Sequence, residues 1–172
     1  AGADTVASCP AGTYHEGLTA TSTCSNPGIG KCVAATSAST TCSTVVGAQA
    51  ALACPSGTYN DVSTAVTAGC KNPGAGKCAS INGTGCSNVA GATTVADCPA
   101  GTYHDGNSAT GTCSNPGIGK CAAATSVASV CFTAAGAQAA LDCPAGTYST
   151  VTAAPVTACL NPGIGKCAAA TS

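Results

Sequence analysis

The chain has 172 residues and is 45% hydrophobic, yet it holds no Trp or Met, one Phe and four Tyr, so its apolar content is mainly Ala, Val and Cys. Such side chains bury little area each, and at about 25 cal/mol per Å² they do not offset roughly 1.5 kcal/mol of ordering entropy per residue. A net charge of −1, carried by five Lys and six acidic residues, excludes a phosphate-binding surface, which needs clustered cations, and no nucleic-acid partner is expected.

The missing stabilisation points to the fifteen cysteines, a density typical of disulfide scaffolds. Disulfides persist in oxidising compartments, so an extracellular or cell-surface location is expected. Zinc is the competing use of so many cysteines. The chain has no Cys-x-x-Cys pair and neither His sits in a cysteine cluster, so no metal and no cofactor is expected.

In chain order, "AGADTVASCP" opens without a secretory signal pattern. "CPAGTY" at 9–14 follows, and its Tyr14 recurs as Tyr59, Tyr103 and Tyr148. A tyrosine ring packed on the neighbouring disulfide is the expectation at each, rather than a catalytic Tyr. His15–Glu16, repeated as His104–Asp105, places an imidazole beside a carboxylate, as acid–base chemistry requires. No nucleophile accompanies either pair, and their absence from the other half-units marks a tolerated loop position.

Next comes "CSNPGIGKC" at 24–32, which returns at 113–121 and, edited, at 70–78 and 159–167. The Gly-rich interior with Lys31, Lys77, Lys120 or Lys166 superficially resembles a phosphate-cradling loop. It lacks the Walker spacing and the following Ser/Thr, so a turn with a solvated lysine is predicted. "TVVGAQAALAC" at 44–54 and "AGATTVADC" at 90–98 carry strand-forming residues, although "GAQAAL" equally suits one helical turn. The longest apolar run, around 44–54, is interrupted by Gln49 and is too short to span a bilayer. Asn82-Gly83-Thr84 is an N-glycosylation sequon, and 41 Ser and Thr residues add candidates for O-linked sugar.

These elements repeat. Residues 1–83 align with 90–172 at 53 identities in 83, an 89-residue super-repeat. It divides into half-repeats 1–40, 41–83, 84–129 and 130–172, each written as four cysteines a, b, c and d. The first lacks its a cysteine. The b, c and d cysteines are Cys9, Cys24 and Cys32, then Cys54, Cys70 and Cys78, then Cys98, Cys113 and Cys121, then Cys143, Cys159 and Cys167; the a cysteines are Cys42, Cys86 and Cys131. The odd cysteine and the unclosed first half-unit lead us to expect a slice of a longer tandem array.

Two pairing frames are open. In one, a pairs with b and c with d; in the other, b pairs with c and d with the next a, leaving Cys167 over. The a-to-b and c-to-d spacings are constant while the others vary. Constant spacing favours the first frame: Cys24–Cys32, Cys42–Cys54, Cys70–Cys78, Cys86–Cys98, Cys113–Cys121, Cys131–Cys143 and Cys159–Cys167, with Cys9 unpaired. With 22 Gly and 9 Pro punctuating the chain, the expected fold is a small, disulfide-rich one of short β-strands and turns, stacked as an elongated rod or fibre.

At "CPAGTY", "GAQAALDCPAGT" and "AGATTVADCPAGT" the chain resembles the cysteine-rich tandem repeats of ciliate surface immobilisation antigens. The resemblance rests on Cys-Pro-x-Gly-Thr at Cys9, Cys54, Cys98 and Cys143, and departs in having Cys-x7-Cys where those repeats carry closer pairs. It implies a coat protein outside the cell. The function expected is therefore structural rather than enzymatic: a glycosylated rod of a surface coat or extracellular filament, whose partners are further copies of the same repeat and covalent glycans. A cysteine-rich binding module (an adhesin or receptor ectodomain) is the alternative, and an ice-binding protein a third.

Overall fold

The computed structural model describes residues 6–18, 23–65, 69–107, 112–150, 155–156, 158–164 and 166–169. They contain six four-residue strands and no helix: β1 Lys31–Ala34, β2 Ala50–Ala53, β3 Lys77–Ser80, β4 Thr94–Asp97, β5 Lys120–Ala123 and β6 Ala139–Asp142. They form three antiparallel pairs, β1 with β2, β3 with β4 and β5 with β6. The ambiguous "GAQAAL" segment is thus extended in both copies, with Ala34 opposite Ala50 and Ala123 opposite Ala139. The sequence leaves helix and strand balanced there; cross-strand pairing decides for strand.

Both recurrent motifs are turns that need glycine. In "CPAGT" the Thr13 amide bonds the Pro10 carbonyl at 3.1 Å and its hydroxyl donates to the same oxygen at 2.8 Å. Gly12, at φ 82°, occupies the third position of that turn, where a side chain is disfavoured. In "NPGIGK" the Lys31 amide closes on the Gly28 carbonyl at 3.3 Å, and Gly30 takes the corresponding place at φ 72°. Each turn delivers the chain into an extended segment. Tyr14 exchanges backbone hydrogen bonds with Ser25 at 2.9 and 2.8 Å, so the b and c segments lie antiparallel.

That pairing fixes the disulfides and overturns the favoured frame. Cys9–Cys24, Cys54–Cys70, Cys98–Cys113 and Cys143–Cys159 join b to c. Cys32–Cys42, Cys78–Cys86 and Cys121–Cys131 join d to the next a. Cys9 is therefore paired, and Cys167 is the free, exposed thiol. The constant spacings mark the turn into β1 between c and d and the stretch that carries β2 between a and b. A disulfide instead closes each loop that varies, at separations of 15 or 16 for b–c and 8 or 10 for d–a.

The core is small, as composition requires. Its fully buried members are the cysteines Cys32, Cys54, Cys78, Cys98 and Cys121 with alanines and Val33 around them. Successive disulfides touch: Cys42 Sγ lies 3.6 Å from Cys70 Sγ, Cys86 from Cys113 at 3.5 Å, and Cys131 from Cys159 at 3.6 Å. Disulfide sulfurs carry no hydrogen, so these are packing contacts. They set each d–a bridge against the b–c bridge of the following half-unit.

Candidate functional site

The feature that recurs with the most complete bonding is the joint between half-units. The Gly30 amide bonds the Asn60 carbonyl at 2.8 Å, Gly76 bonds His104 at 2.7 Å and Gly119 bonds Ser149 at 2.9 Å. The carbonyls of the same three glycines accept the amides of Cys54, Cys98 and Cys143 at 2.8, 2.9 and 2.7 Å. The turn of each half-unit is thereby clamped by the b segment of the next.

The residue after the recurrent Tyr plugs this joint. Asn60, 1% exposed, donates from Nδ2 to the carbonyls of Gly28 (3.1 Å), Lys31 (2.8 Å) and Val62 (3.1 Å), while its Oδ1 accepts the Val62 amide at 3.1 Å. His104, 4% exposed, takes the same place: its Nδ1 lies 3.0 Å from the Gly74 carbonyl and 3.1 Å from the Gly106 amide. One nitrogen cannot donate to the first and accept from the second at once. Nε2 is buried without a partner among the described residues. In His15 the Nδ1 accepts the Gly17 amide at 3.0 Å. His104–Asp105 is thus not a tolerated loop position. The imidazole of His104 locks the joint, while Glu16 and Asp105 face solvent. Sequence reasoning missed Asn60; the signal was that His15, Asn60, His104 and Ser149 are all small or ring-bearing hydrogen-bonders at one repeat position.

Close backbone approach completes the joint. A Cβ on Gly30 or Gly76 would collide with the carbonyl of Gly91 or Gly136, whereas one on Gly119 would meet nothing within 4 Å. All three have positive φ, so alanine costs about 1 kcal/mol in strain at each. Gly76→Ala is expected to lower stability by about 2 kcal/mol more than Gly119→Ala, because its neighbour is backbone and cannot yield. Urea unfolding of the two variants checks this.

The lysines before the d cysteines close the predicted turn, each through its amide, and Lys31 and Lys166 are exposed. Lys31, Lys77 and Lys120 also open β1, β3 and β5, and two of them find partners across the strand pair. Lys77 pairs with Asp97 across β3 and β4 at 2.6 Å, and Lys120 with Asp142 across β5 and β6 at 2.6 Å. Lys71 bonds Asp61 at 2.6 Å and stands 5.8 Å from the Tyr59 ring centroid. The hydrogen bond from Lys71 holds the Asp61 carboxyl below the usual aspartate range, and Asp61 raises Lys71 in turn. A lowered carboxyl stabilises the fold at neutral pH and loses that contribution as pH falls through the lowered value. These groups are exposed, so the effect is small.

Three cysteine triads have sulfurs within 4.8 Å of one another: Cys32, Cys42, Cys70; Cys78, Cys86, Cys113; and Cys121, Cys131, Cys159. Every member is disulfide-bonded, so none offers the thiolate that a metal requires. Asn82 is exposed in the loop closed by Cys78–Cys86, and its Oδ1 accepts the Thr84 amide at 3.2 Å and the Thr84 hydroxyl at 2.7 Å. The sequon therefore lies in a turn open to solvent. No helix among the described residues is long and apolar enough to cross a membrane. Compared with known proteins, the chain matches no family model, no curated protein and no solved structure.

Proposed function

We propose that this is a structural extracellular protein: a disulfide-stapled, N-glycosylated tandem-repeat rod of a cell-surface coat or extracellular filament, as the resemblance to ciliate surface antigens implies. The observation that carries the proposal is the joint. The same glycine turn meets the same b segment through the same backbone bonds at three successive places. A unit joined to its neighbour by one repeated operation builds a quasi-linear array whose stability is a sum over units and joints. Variation falls on the plug residue and on loop length, and both serve the joint or the surface rather than a reaction. The seven disulfides fit assembly in an oxidising compartment.

Small-angle scattering and negative-stain microscopy of the chain test the rod. An elongated particle is expected; a radius of gyration near about 16 Å, that of a compact domain of this length, would overturn the proposal. Intact mass of secreted material before and after N-glycosidase tests the coat character. One glycan lost, and none present in Asn82→Gln, is the expected result.

A further inference from the structure

The joint between Gly76 and His104 departs from the joint between Gly30 and Asn60 at two places. Its glycine turn carries Ala75 where Ile29, and likewise Ile118, stands in the corresponding turn. Each of those isoleucines is half exposed, so the rest of its side chain covers the surface beside it. The second difference is the residue bridged to the recurrent Tyr. Lys71 is bridged to Tyr59 and ties up Asp61 at 2.6 Å. Ser114 takes that place beside Tyr103, and among the described residues no cation pairs with Asp105, the counterpart of Asp61.

Both differences act on one place. A cavity of about 300 Å³ opens there, lined by Ala75, Tyr103, Asp105, Asn107, Ser126 and Gln138 together with alanines of β6. Its wall is fixed by bonds within the fold. Asn72 Nδ2 donates to the Gly106 carbonyl at 3.2 Å, the Gly106 amide lies 3.1 Å from His104 Nδ1, and the Asn107 amide donates to Asp105 Oδ1 at 2.9 Å. Gly106, at φ 81°, lets this segment sit directly on Ala75, since a Cβ there would lie 2.8 Å from the Ala75 amide nitrogen. Gln138 follows Ala137, whose parallel bridge to Tyr103 sets its distance from the ring. Polar groups held in place beforehand cut the ordering cost of binding.

The chemistry of the wall selects a ligand class. The Asp105 carboxylate offers acceptors, Asn107 and Gln138 each offer a carbonyl oxygen and an amide nitrogen, and Ser126 and Tyr103 offer hydroxyls. No lysine or histidine lines the cavity, so an anionic ligand would meet a carboxylate with no counter-charge. Alanine methyls and the half-buried Tyr103 ring supply apolar contact beside the polar groups. A saturated ring with adjacent hydroxyls on its rim and C–H bonds on its faces complements both. The volume is at the small end of ligand pockets, which admits one such ring.

We propose that this cavity is a saccharide-binding site that takes a single pyranose ring. Asp105, Asn107 and Gln138 bond adjacent sugar hydroxyls, while Tyr103 and the alanines pack against the C–H face. Ala75 supplies the room, because an isoleucine in its place fills the cavity. The inference goes beyond the structural-rod reading and stands without it, since every residue named belongs to one joint and its flanking loop.

Nuclear magnetic resonance of the isotope-labelled full chain tests it, with the methyl glycosides of mannose, glucose, galactose and N-acetylglucosamine as probes. At least one is expected to shift the side-chain amide signals of Asn107 and Gln138 saturably, in the millimolar range. The signals of Gln49, the counterpart of Gln138 in the preceding super-repeat, should stay in place. Ala75→Ile and Asp105→Asn are each expected to weaken that binding by about tenfold or more, the second through loss of hydrogen bonds to a charged group. Unchanged backbone signals at the joint between Gly30 and Asn60 check that each variant folds; should Ala75→Ile not fold, Asp105→Asn decides alone. The free sugars separate two sources of the ring. Binding of methyl glycosides, whose anomeric oxygen is capped, assigns the site to glycan ends, and binding of free sugars alone assigns it to monosaccharides. No saturable shift with any probe, binding that survives both substitutions, or larger shifts of the same amides by inorganic phosphate would overturn the inference.

Discussion

Replacing Cys54 and Cys70 together by Ser is expected to lower the unfolding free energy by about 3 kcal/mol, the loop-closure value for a disulfide of this span. Their separation is 16 residues, and the loss falls on a chain with almost no other reserve. Among the described residues no Phe or Tyr is in the buried core, and Val33 is the largest fully buried side chain. The actual loss should exceed the loop term, because Cys54 is 0% exposed and Cys70 packs on Cys42 at 3.6 Å. Urea unfolding without reductant measures it. Thiol titration of the same protein under denaturing conditions tests the frame. The Cys54→Ser, Cys70→Ser protein should keep the single thiol of Cys167, since both partners of one bridge have gone. Cys24→Ser with Cys32→Ser should instead show three, from Cys9, Cys42 and Cys167, because that pair takes one partner from each of two bridges. A single thiol in the second protein would return the pairing to Cys24–Cys32.

Much of this architecture is legible in the chain before any coordinates. The near absence of large side chains and the count of cysteines already demand a stapled fold of small residues. The recurring Pro-x-Gly-Thr and Asn-Pro-Gly motifs already demand turns. The connectivity is not legible, because spacing reports only how far apart two cysteines lie along the chain. The Tyr14–Ser25 pairing that sets Cys9 beside Cys24 is a contact between segments, and nothing in either segment alone names its partner. The two cross-strand lysine–aspartate pairs were hidden for the same reason. Lys77 and Asp97 are 20 residues apart, and only the β3–β4 register sets them face to face. The joint was hidden by its diversity: Asn60 and His104 plug successive joints with different side chains.

Asn60 shows what that task is worth. Asn60→Ala leaves the Gly28 and Lys31 carbonyls without the amide that now reaches them at 3.1 and 2.8 Å, at a place that is 1% exposed. A buried polar group stripped of its partner costs about 1–3 kcal/mol. With two carbonyls and the Val62 amide affected, a loss of about 3 kcal/mol is expected, centred on one joint of the array. His104→Asn runs the other way. The histidine leaves Nε2 buried and, among the described residues, unpartnered, and its Nδ1 faces a carbonyl and an amide that it cannot serve together. An Asn there would reproduce the Asn60 arrangement, its oxygen taking the Gly106 amide and its Nδ2 the carbonyls of Gly74 and Lys77. A gain of about 1 kcal/mol is expected, the net worth of a satisfied buried hydrogen bond. Chemical denaturation of the two variants settles the point. Loss in the first and gain in the second assign the plug to hydrogen bonding, whereas loss in both would show that imidazole volume, not its bonds, holds the third joint position closed.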